Sequence, residues 1–270
     1  MLFYFTATGN SLYVAKQLEA DSLSIPQVMK QGCQNFQADS IGVVCPIYGH
    51  EIPLIVRKFL KDNVFQTPYF YMILTYGNRH GGAAGLTQRY CRDCGIEPAY
   101  IRTFLMVDNF LPGFDMAEQM KMDKNEDDQL AVIRQELAAH TRWVEAPSEA
   151  DKKLHQAFAA MSDVPIEKRW QDIYRVTGHC VGCGICAKVC PVGRIQVRQG
   201  KAIYDYASQR ECQQCMACIH ACPQKAITMT MGEPNPQARY RNPHISLSEL
   251  IQANEQDAEE KMQGPFLFDV

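Results

Sequence analysis

Apolar and polar positions come in blocks along the first hundred residues. Leu2, Phe3, Tyr4 and Phe5 are apolar without a break, which predicts a short parallel strand buried on both faces. A polar stretch from Thr6 to Ser11 follows, and then Leu12, Val14, Ala15 and Leu18 recur on or near one face of a helix. Ser24–Val28 reads as a weak second strand, and the segment from there to Asp39 is short for a full crossover helix. Ile41–Tyr48 is a strong third strand, Tyr69–Leu74 a fourth and Ala99–Val107 a fifth, with helices at Ile52–Leu60 and Ala83–Cys94. Strands alternating with helices predict an α/β domain.

The pattern changes downstream. Asp123–Trp143 reads as one long helix with Leu130, Ile133, Leu137 and Ala138 toward one side, suited to pack on the sheet as its last helix. Pro147 and Ser148 break it, Glu149–Met161 is a further helix, and Pro165 starts another. These form a helical bridge whose charges are solvated faces. Near the end, Ser246–Met262 reads as a helix, with Ser246 and Glu249 spaced as a capping box. The apolar tip from Gly264 to Val270 is expected to dock on the protein itself.

Composition narrows the class. Hydrophobic residues make up 46% and charged residues 21% of the 270, so the chain is globular and long enough for two domains. The formal net charge is −3 and no basic stripe is present, which argues against nucleic acid. An acidic surface can be steered toward a basic patch on a protein partner. The opening residues carry no basic n-region and turn polar within a few positions, so a signal peptide is not expected. No apolar run approaches the roughly 18 residues of a spanning helix. A cytoplasmic protein with reduced thiols is expected.

The strongest chemical signal lies between residues 180 and 223. Cys180, Cys183, Cys186 and Cys190 are followed by Pro191, and Cys212, Cys215, Cys218 and Cys222 by Pro223. Both runs read C-x2-C-x2-C-x3-C-P, and at a constant offset Ile195-Gln196-Val197 repeats as Ile227-Thr228-Met229. A pseudo-twofold unit is expected. Three thiolates at short intervals on a tight loop reach three irons of one cubane, while the fourth starts a short helix, points away and serves the other cluster. That divides the ligands into Cys180, Cys183, Cys186 and Cys222 for one [4Fe-4S] cluster, and Cys212, Cys215, Cys218 and Cys190 for the second. Zinc also binds C-x2-C pairs, but zinc ribbons rarely run four cysteines so closely. Disulfides are disfavoured without a secretory context. Residues 174–231 resemble the bacterial two-cluster ferredoxins, with all eight ligands and both prolines in place. Exposed cubanes favour an anaerobic setting.

The polar stretch after the first strand is a second signal. A strand, a Gly-containing loop and a helix N-terminus present free N–H groups to an anion. Thr6, Thr8, Asn10 and Ser11 add side-chain donors, with Ala7 and Gly9 between them. The loop has no lysine and no nucleotidase pattern. It resembles the FMN-phosphate loop of flavodoxins, and all its patterned positions match. The resemblance implies strand order 2-1-3-4-5, with the ligand beyond the carboxyl ends of the strands. It implies further that the loops after the third and fourth strands meet the flavin ring. These carry Pro46, Tyr48 and Gly49, then Thr75, Tyr76, Gly77, Asn78, Gly81 and Gly82. Tyr48 and Tyr76 are the candidates to lie against the ring, and the glycines would let backbone approach it. Asp108 and Asn109 would close the same rim. His50 and His80 read as surface residues, and Cys33, Cys45, Cys91 and Cys94 as ordinary thiols, of which Cys91 and Cys94 could form a functional dithiol.

The two halves together resemble the flavodoxin–ferredoxin fusion family. The organisation expected is an FMN-binding domain over 1–145, a helical bridge over 146–173, a two-cluster domain over 174–231 and a tail with one helix over 232–270. The resemblance implies an electron carrier that moves electrons between two [4Fe-4S] clusters, FMN and a redox partner protein; the exchange would run within one chain if the helical bridge folds back, or head-to-tail in a homodimer if it extends. An FMN-dependent reductase of a small substrate, fed by the clusters, is the alternative, as is a redox sensor or assembly component. No paired acid and base and no dinucleotide fingerprint are found.

Overall fold

The computed structural model describes residues 1–161, 164, 172–206 and 210–256. It divides into two compact units. The first comprises Met1–Thr6, Asn10–Asp108 and the described residues of 122–167; the second comprises Ala7–Gly9, Asn109–Lys121 and the described residues of 168–270.

In the first unit, strand β1 (Leu2–Tyr4) leads to helix α1 (Asn10–Leu18), then β2 (Leu23–Ser24) and the short helix α2 (Ile25–Val28). Strands β3 (Asn35–Gln37) and β4 (Ile41–Pro46), helix α3 (Leu54–Asp62), strands β5 (Val64–Gln66) and β6 (Phe70–Tyr76), helix α4 (Ala83–Asp93) and strand β7 (Tyr100–Leu105) follow. After helix α5 (Met116–Gln119) of the second unit come α6 (Glu126–Ala138), β8 (Trp143–Val144) and α7 (Glu149–Ala159). Six strands form one parallel sheet in the order β2-β1-β4-β6-β7-β8. The first five of these strands in chain order therefore run 2-1-3-4-5, with β8 added at the edge. One line of partners crosses the sheet from Leu23 through Phe3, Val43, Met72 and Ile101 to Val144. Phe3, Val43, Met72 and Ile101 are fully buried. Each such side chain contributes about 1.5–3 kcal/mol of burial, which is why these strands read as continuous apolar runs.

A separate parallel pair, β3 and β5, was not foreseen. It carries Phe36 and Phe65, which meet Phe3 and Phe59 in one aromatic cluster with centroid distances from 4.7 to 6.4 Å.

Two element assignments are corrected. Of the weak second strand expected at Ser24–Val28 only Ser24 pairs, together with Leu23 before it, because Pro26 in the first turn of α2 suits a helix start and Ile25–Val28 turn helical. The long helix ends at Ala138, with His140 in the left-handed region at φ 49°. Trp143 then pairs with Tyr100 as a strand instead of continuing the helix. Pro165 and the tip from Gly264 lie outside the described residues.

The second unit holds β9 (Tyr174–Val176), α8 (Ile185–Lys188), β10 (Ile195–Arg198), β11 (Lys201–Tyr204), α9 (Ala217–His220), β12 (Ile227–Met229) and α10 (Leu247–Asn254). Asp115 caps α5 by accepting from the Ala117 N–H at 2.8 Å. Asn235 Nδ2 donates to the same carboxylate. Ser246 and Glu249 form the expected capping box on α10. Strands β10 and β11 pair antiparallel, as do β12 and β9. Among the described residues no helix is long and apolar enough to cross a membrane.

Candidate functional site

The backbone of the second unit carries the sequence repeat into three dimensions. Positive φ occurs at Gly182, Gly184, Gly193 and Gly200, and again at the matching positions of the second copy, Gln214, Met216, Lys225 and Gly232. The cysteine loops therefore take one path twice, and three non-glycine residues in the second copy hold a left-handed conformation that costs roughly 1–2 kcal/mol each. At Gly182 an added Cβ would also run into the backbone of Gly200, so glycine is required there on two counts.

Cys186 lies on α8 and Cys218 on α9, each the third of its run. The fourth cysteines, Cys190 and Cys222, sit just beyond those helices and do not start them. Pro191 and Pro223 follow, and the residue before a proline avoids the helical region. The path past the helix turns the fourth sulfur away from its own loop. Cys180, Cys183, Cys186 and Cys222 line one cavity together with Ala202 and Ile227. Cys190, Cys212, Cys215 and Cys218 line a second, with Tyr174, Val192 and Tyr204. Each cavity thus takes three cysteines from one run and the fourth from the other.

Burial dominates the chemistry of four of these thiols. It pushes Cys186 up to about 12 and Cys212 to about 11, and raises Cys215 and Cys218 as well. A thiol so placed stays protonated at neutral pH unless a cation replaces the proton, so loading iron must release protons. Among the described residues no three His, Cys, Asp or Glu side chains converge on a single ion. Four sulfurs spread around a void suit the corners of a cubane better than one zinc ion. N–H groups point at the sulfurs: Ala202 to Cys180 at 3.4 Å, Arg194 to Cys190 at 3.3 Å, Gln214 to Cys212 at 3.4 Å and Ala226 to Cys222 at 3.3 Å. The Tyr204 hydroxyl donates to Cys218 Sγ at 3.2 Å. That contact was not read from the sequence. His220, between two ligand candidates, is structural: its Nδ1 accepts from the Tyr240 N–H at 3.0 Å, which leaves Nε2–H to donate to the Asn109 carbonyl at 2.9 Å. Burial holds it neutral, with its pKa pushed down to about 4.

The polar stretch after β1 is buried at Thr6, Thr8, Asn10 and Ser11. In the first unit, Ser11 Oγ and Thr75 Oγ1 lie 2.8 Å apart at the carboxyl end of β6, and Asn10 Nδ2 donates to the Val107 carbonyl at 3.1 Å. In the second unit, Thr8 Oγ1 accepts from Asn109 Nδ2 at 2.7 Å. Gly9 has φ +105°, and a Cβ there would lie 2.9 Å from Asn242 Cβ.

The loops after β4 and β6 carry the remaining candidates. Pro46, Tyr48, Gly49, Tyr76 and Gly77 are half-buried or buried, Asn78 is exposed, and Gly81 and Gly82 are buried. The direction of a Cβ at Gly77 is filled by Asp108, at Gly81 by His50 and at Gly82 by Pro147. Packing within the unit therefore accounts for these three glycines. His50 is not a surface residue: it is 8% exposed, with its ring 5.7 Å from His155 and 5.0 Å from Phe158. Burial first, then His155 and His80, push its pKa down to about 4. His80 faces Asp151 at 3.8 Å and Glu145 at 3.9 Å. Sequence reading missed this cluster because His155 and Asp151 come from α7, far along the chain. Cys45 and Cys91 are buried, and the Cys91 thiol meets Met72 Sδ at 3.6 Å, as packing thiols do. Cys94 is half-buried and Cys33 exposed.

Comparison with known proteins covers the cysteine region. Residues 179–227 match the 4Fe-4S dicluster domain family. The chain is similar to a component of the "Ion-translocating oxidoreductase complex" of Methanosarcina acetivorans, 46% identical over 50 residues, or 18% of this chain and 18% of that one. It is similar to an "Iron-sulfur protein" of Rhodospirillum rubrum, 36% identical over 70 residues, or 20% of this chain and 37% of that one. A "Ferredoxin-like protein in nif region" of Trichormus variabilis is 33% identical over 51 residues, 19% of this chain and 42% of the relative. The chain spans less than half the length of each. No solved structure matches it.

Proposed function

We propose that this chain is an electron-transfer protein with two [4Fe-4S] clusters and FMN. One cluster is held by Cys180, Cys183, Cys186 and Cys222, the other by Cys190, Cys212, Cys215 and Cys218. The observation that carries this reading is the pair of cavities, each lined by three cysteines of one run and the fourth of the other. When bound, the clusters supply one-electron steps and the flavin one- or two-electron steps. The cysteine loops exclude water from three of the four sulfurs of the second set, since Cys190, Cys215 and Cys218 are each 8% exposed. Backbone N–H groups hold the sulfurs in place and temper their charge.

The FMN part rests on the donor chemistry of Thr6 to Ser11 at the N-terminus of α1 and on the parallel sheet that carries it. Thr75 at the end of β6 supports Ser11. The partner is a redox protein, and a chain that joins both carriers keeps them at high effective concentration. Anaerobic rapid mixing with a low-potential donor specific for the clusters tests the relay. Cluster bleaching and flavin reduction are expected to be linked in time, and flavin reduction to slow sharply in a variant lacking all eight cluster cysteines. Equal rates in that variant would mean that the clusters do not serve the flavin.

The reductase reading gains one specific support, the cluster of His50, His80, His155 and Asp151 beside the loops after β4 and β6. Such groups can hold or move protons near a reducible ligand. Steady turnover of quinones or other small oxidants, lost in His80→Ala with FMN retained, would favour it.

A further inference from the structure

The repeat is close in backbone but not in one buried contact. Strand β10 corresponds to β12, so Ile195 matches Ile227. Across the hairpins Ile195 lies opposite Tyr204, whereas Ile227 lies opposite Val176. The register therefore makes Val176 the counterpart of Tyr204. Cys186 is likewise the counterpart of Cys218. Tyr204, 8% exposed, gives its hydroxyl hydrogen to Cys218 Sγ at 3.2 Å, while valine offers only methyl groups. The phenol is fixed by its neighbours, since Tyr174 stacks on one side with centroids 5.4 Å apart and Tyr206 on the other at 5.9 Å. The Tyr206 hydroxyl is engaged elsewhere, donating to the Tyr174 carbonyl at 2.6 Å.

We propose that the Tyr204 hydroxyl sets the reduction potential of the cluster held by Cys190, Cys212, Cys215 and Cys218, and that the other cluster has no equivalent donor at the matched position. The inference rests on the ligand sets proposed above. A hydrogen bond to a ligand sulfur draws off charge, and it strengthens when an added electron makes the cluster more negative. The reduced state is stabilised more than the oxidised state, so the potential rises. Both sulfurs at this position of the repeat are buried, Cys186 at 7% and Cys218 at 8%, so burial of that ligand does not by itself separate the two halves. The hydroxyl does.

The test is an anaerobic titration with dithionite, followed by electron paramagnetic resonance of the two reduced clusters in the full chain. In Tyr204→Phe one signal is expected to need a lower potential, with a roughly three- to tenfold loss in its reduction equilibrium, where tenfold is about 59 mV for one electron. The other signal stays in place. Tyr206→Phe, which keeps the stack and leaves the Tyr204 hydroxyl intact, is expected to move neither. Should Tyr204→Phe fail to assemble, 3-fluorotyrosine at position 204 supplies a stronger donor of nearly the same shape and is expected to shift the same signal upward. Opposite shifts from a lost and a strengthened donor are not what a packing role produces. An unmoved potential in a variant holding eight irons overturns this proposal alone, as does an equal shift in Tyr206→Phe. Fewer than eight irons in the unmodified protein overturns the ligand sets, and this proposal with them.

Discussion

The backbone N–H of Arg194 donates to Cys190 Sγ at 3.3 Å, and the same bond recurs in the second copy of the repeat, from Ala226 to Cys222 Sγ at 3.3 Å. Each fourth cysteine is thus pinned by the residue four positions after it, past the proline that follows it. That local turn is what aims Cys190 and Cys222 into the cavity of the other run.

The crossing can be read by pairing variants. Cys190→Ser and Cys215→Ser are expected to abolish the same paramagnetic signal, and Cys222→Ser and Cys183→Ser the other. If Cys190→Ser instead removes the signal lost in Cys183→Ser, each run holds its own cluster and the interleaved assignment is wrong.

The left-handed positions give an asymmetric expectation. Gly193 at φ 61° matches Lys225 at φ 49°. Gly193→Ala should destabilise the second unit by about 1–2 kcal/mol, and Lys225→Gly should stabilise it by up to about 1 kcal/mol. Gly182→Ala should do more damage than Gly193→Ala, because its Cβ also meets Gly200. Denaturant midpoints of the holoprotein, and the rate of cluster loss, check the order.

Flavin binding has its own variant. Thr8→Ala combined with Asn10→Ala removes two donors, each worth roughly 1.5–3 kcal/mol when the acceptor is charged. The dissociation constant for FMN is expected to rise by about a hundredfold or more, with the cluster signals unchanged. Unchanged affinity would leave the stretch from Thr6 to Ser11 as a helix cap and no more.

His50 links stability to pH. Its pKa falls from 6.5 to about 4 on folding, mainly through burial. The folded state prefers the neutral ring, so the unfolded chain takes up the proton first. Stability is present above about pH 6.5 and is lost as the pH falls toward 4, by roughly 2 kcal/mol at pH 5 for this group alone. The His50→Gln variant should lose less between pH 7.5 and 5 in urea unfolding of the first unit. Equal losses in both proteins would mean that His50 titrates normally.

What could be read from the sequence was local and periodic. Leu2 to Phe5 declared a buried parallel strand, Ser246 and Glu249 declared the cap of α10, and the cysteine spacing declared its own repeat. Trp143 and Val144 did not declare a strand, because two residues carry no period and only the edge of β7 makes them one. His50 looked like a surface residue because the groups that bury it arrive from α7. Gln214, Met216 and Lys225 do not announce left-handed backbone by type. Their glycine counterparts in the first copy do, so aligning the repeat with itself supplies a signal that the second copy lacks.

The proposed function stands on two [4Fe-4S] clusters, held by interleaved cysteines, that move electrons. Iron and acid-labile sulfide analysis of anaerobically purified protein, with paramagnetic resonance after reduction, tests it most directly. Two complete ligand sets are expected to give eight irons and eight sulfides per chain and two reducible clusters. Near-stoichiometric zinc, with no visible charge-transfer absorbance and no signal on reduction, would contradict it.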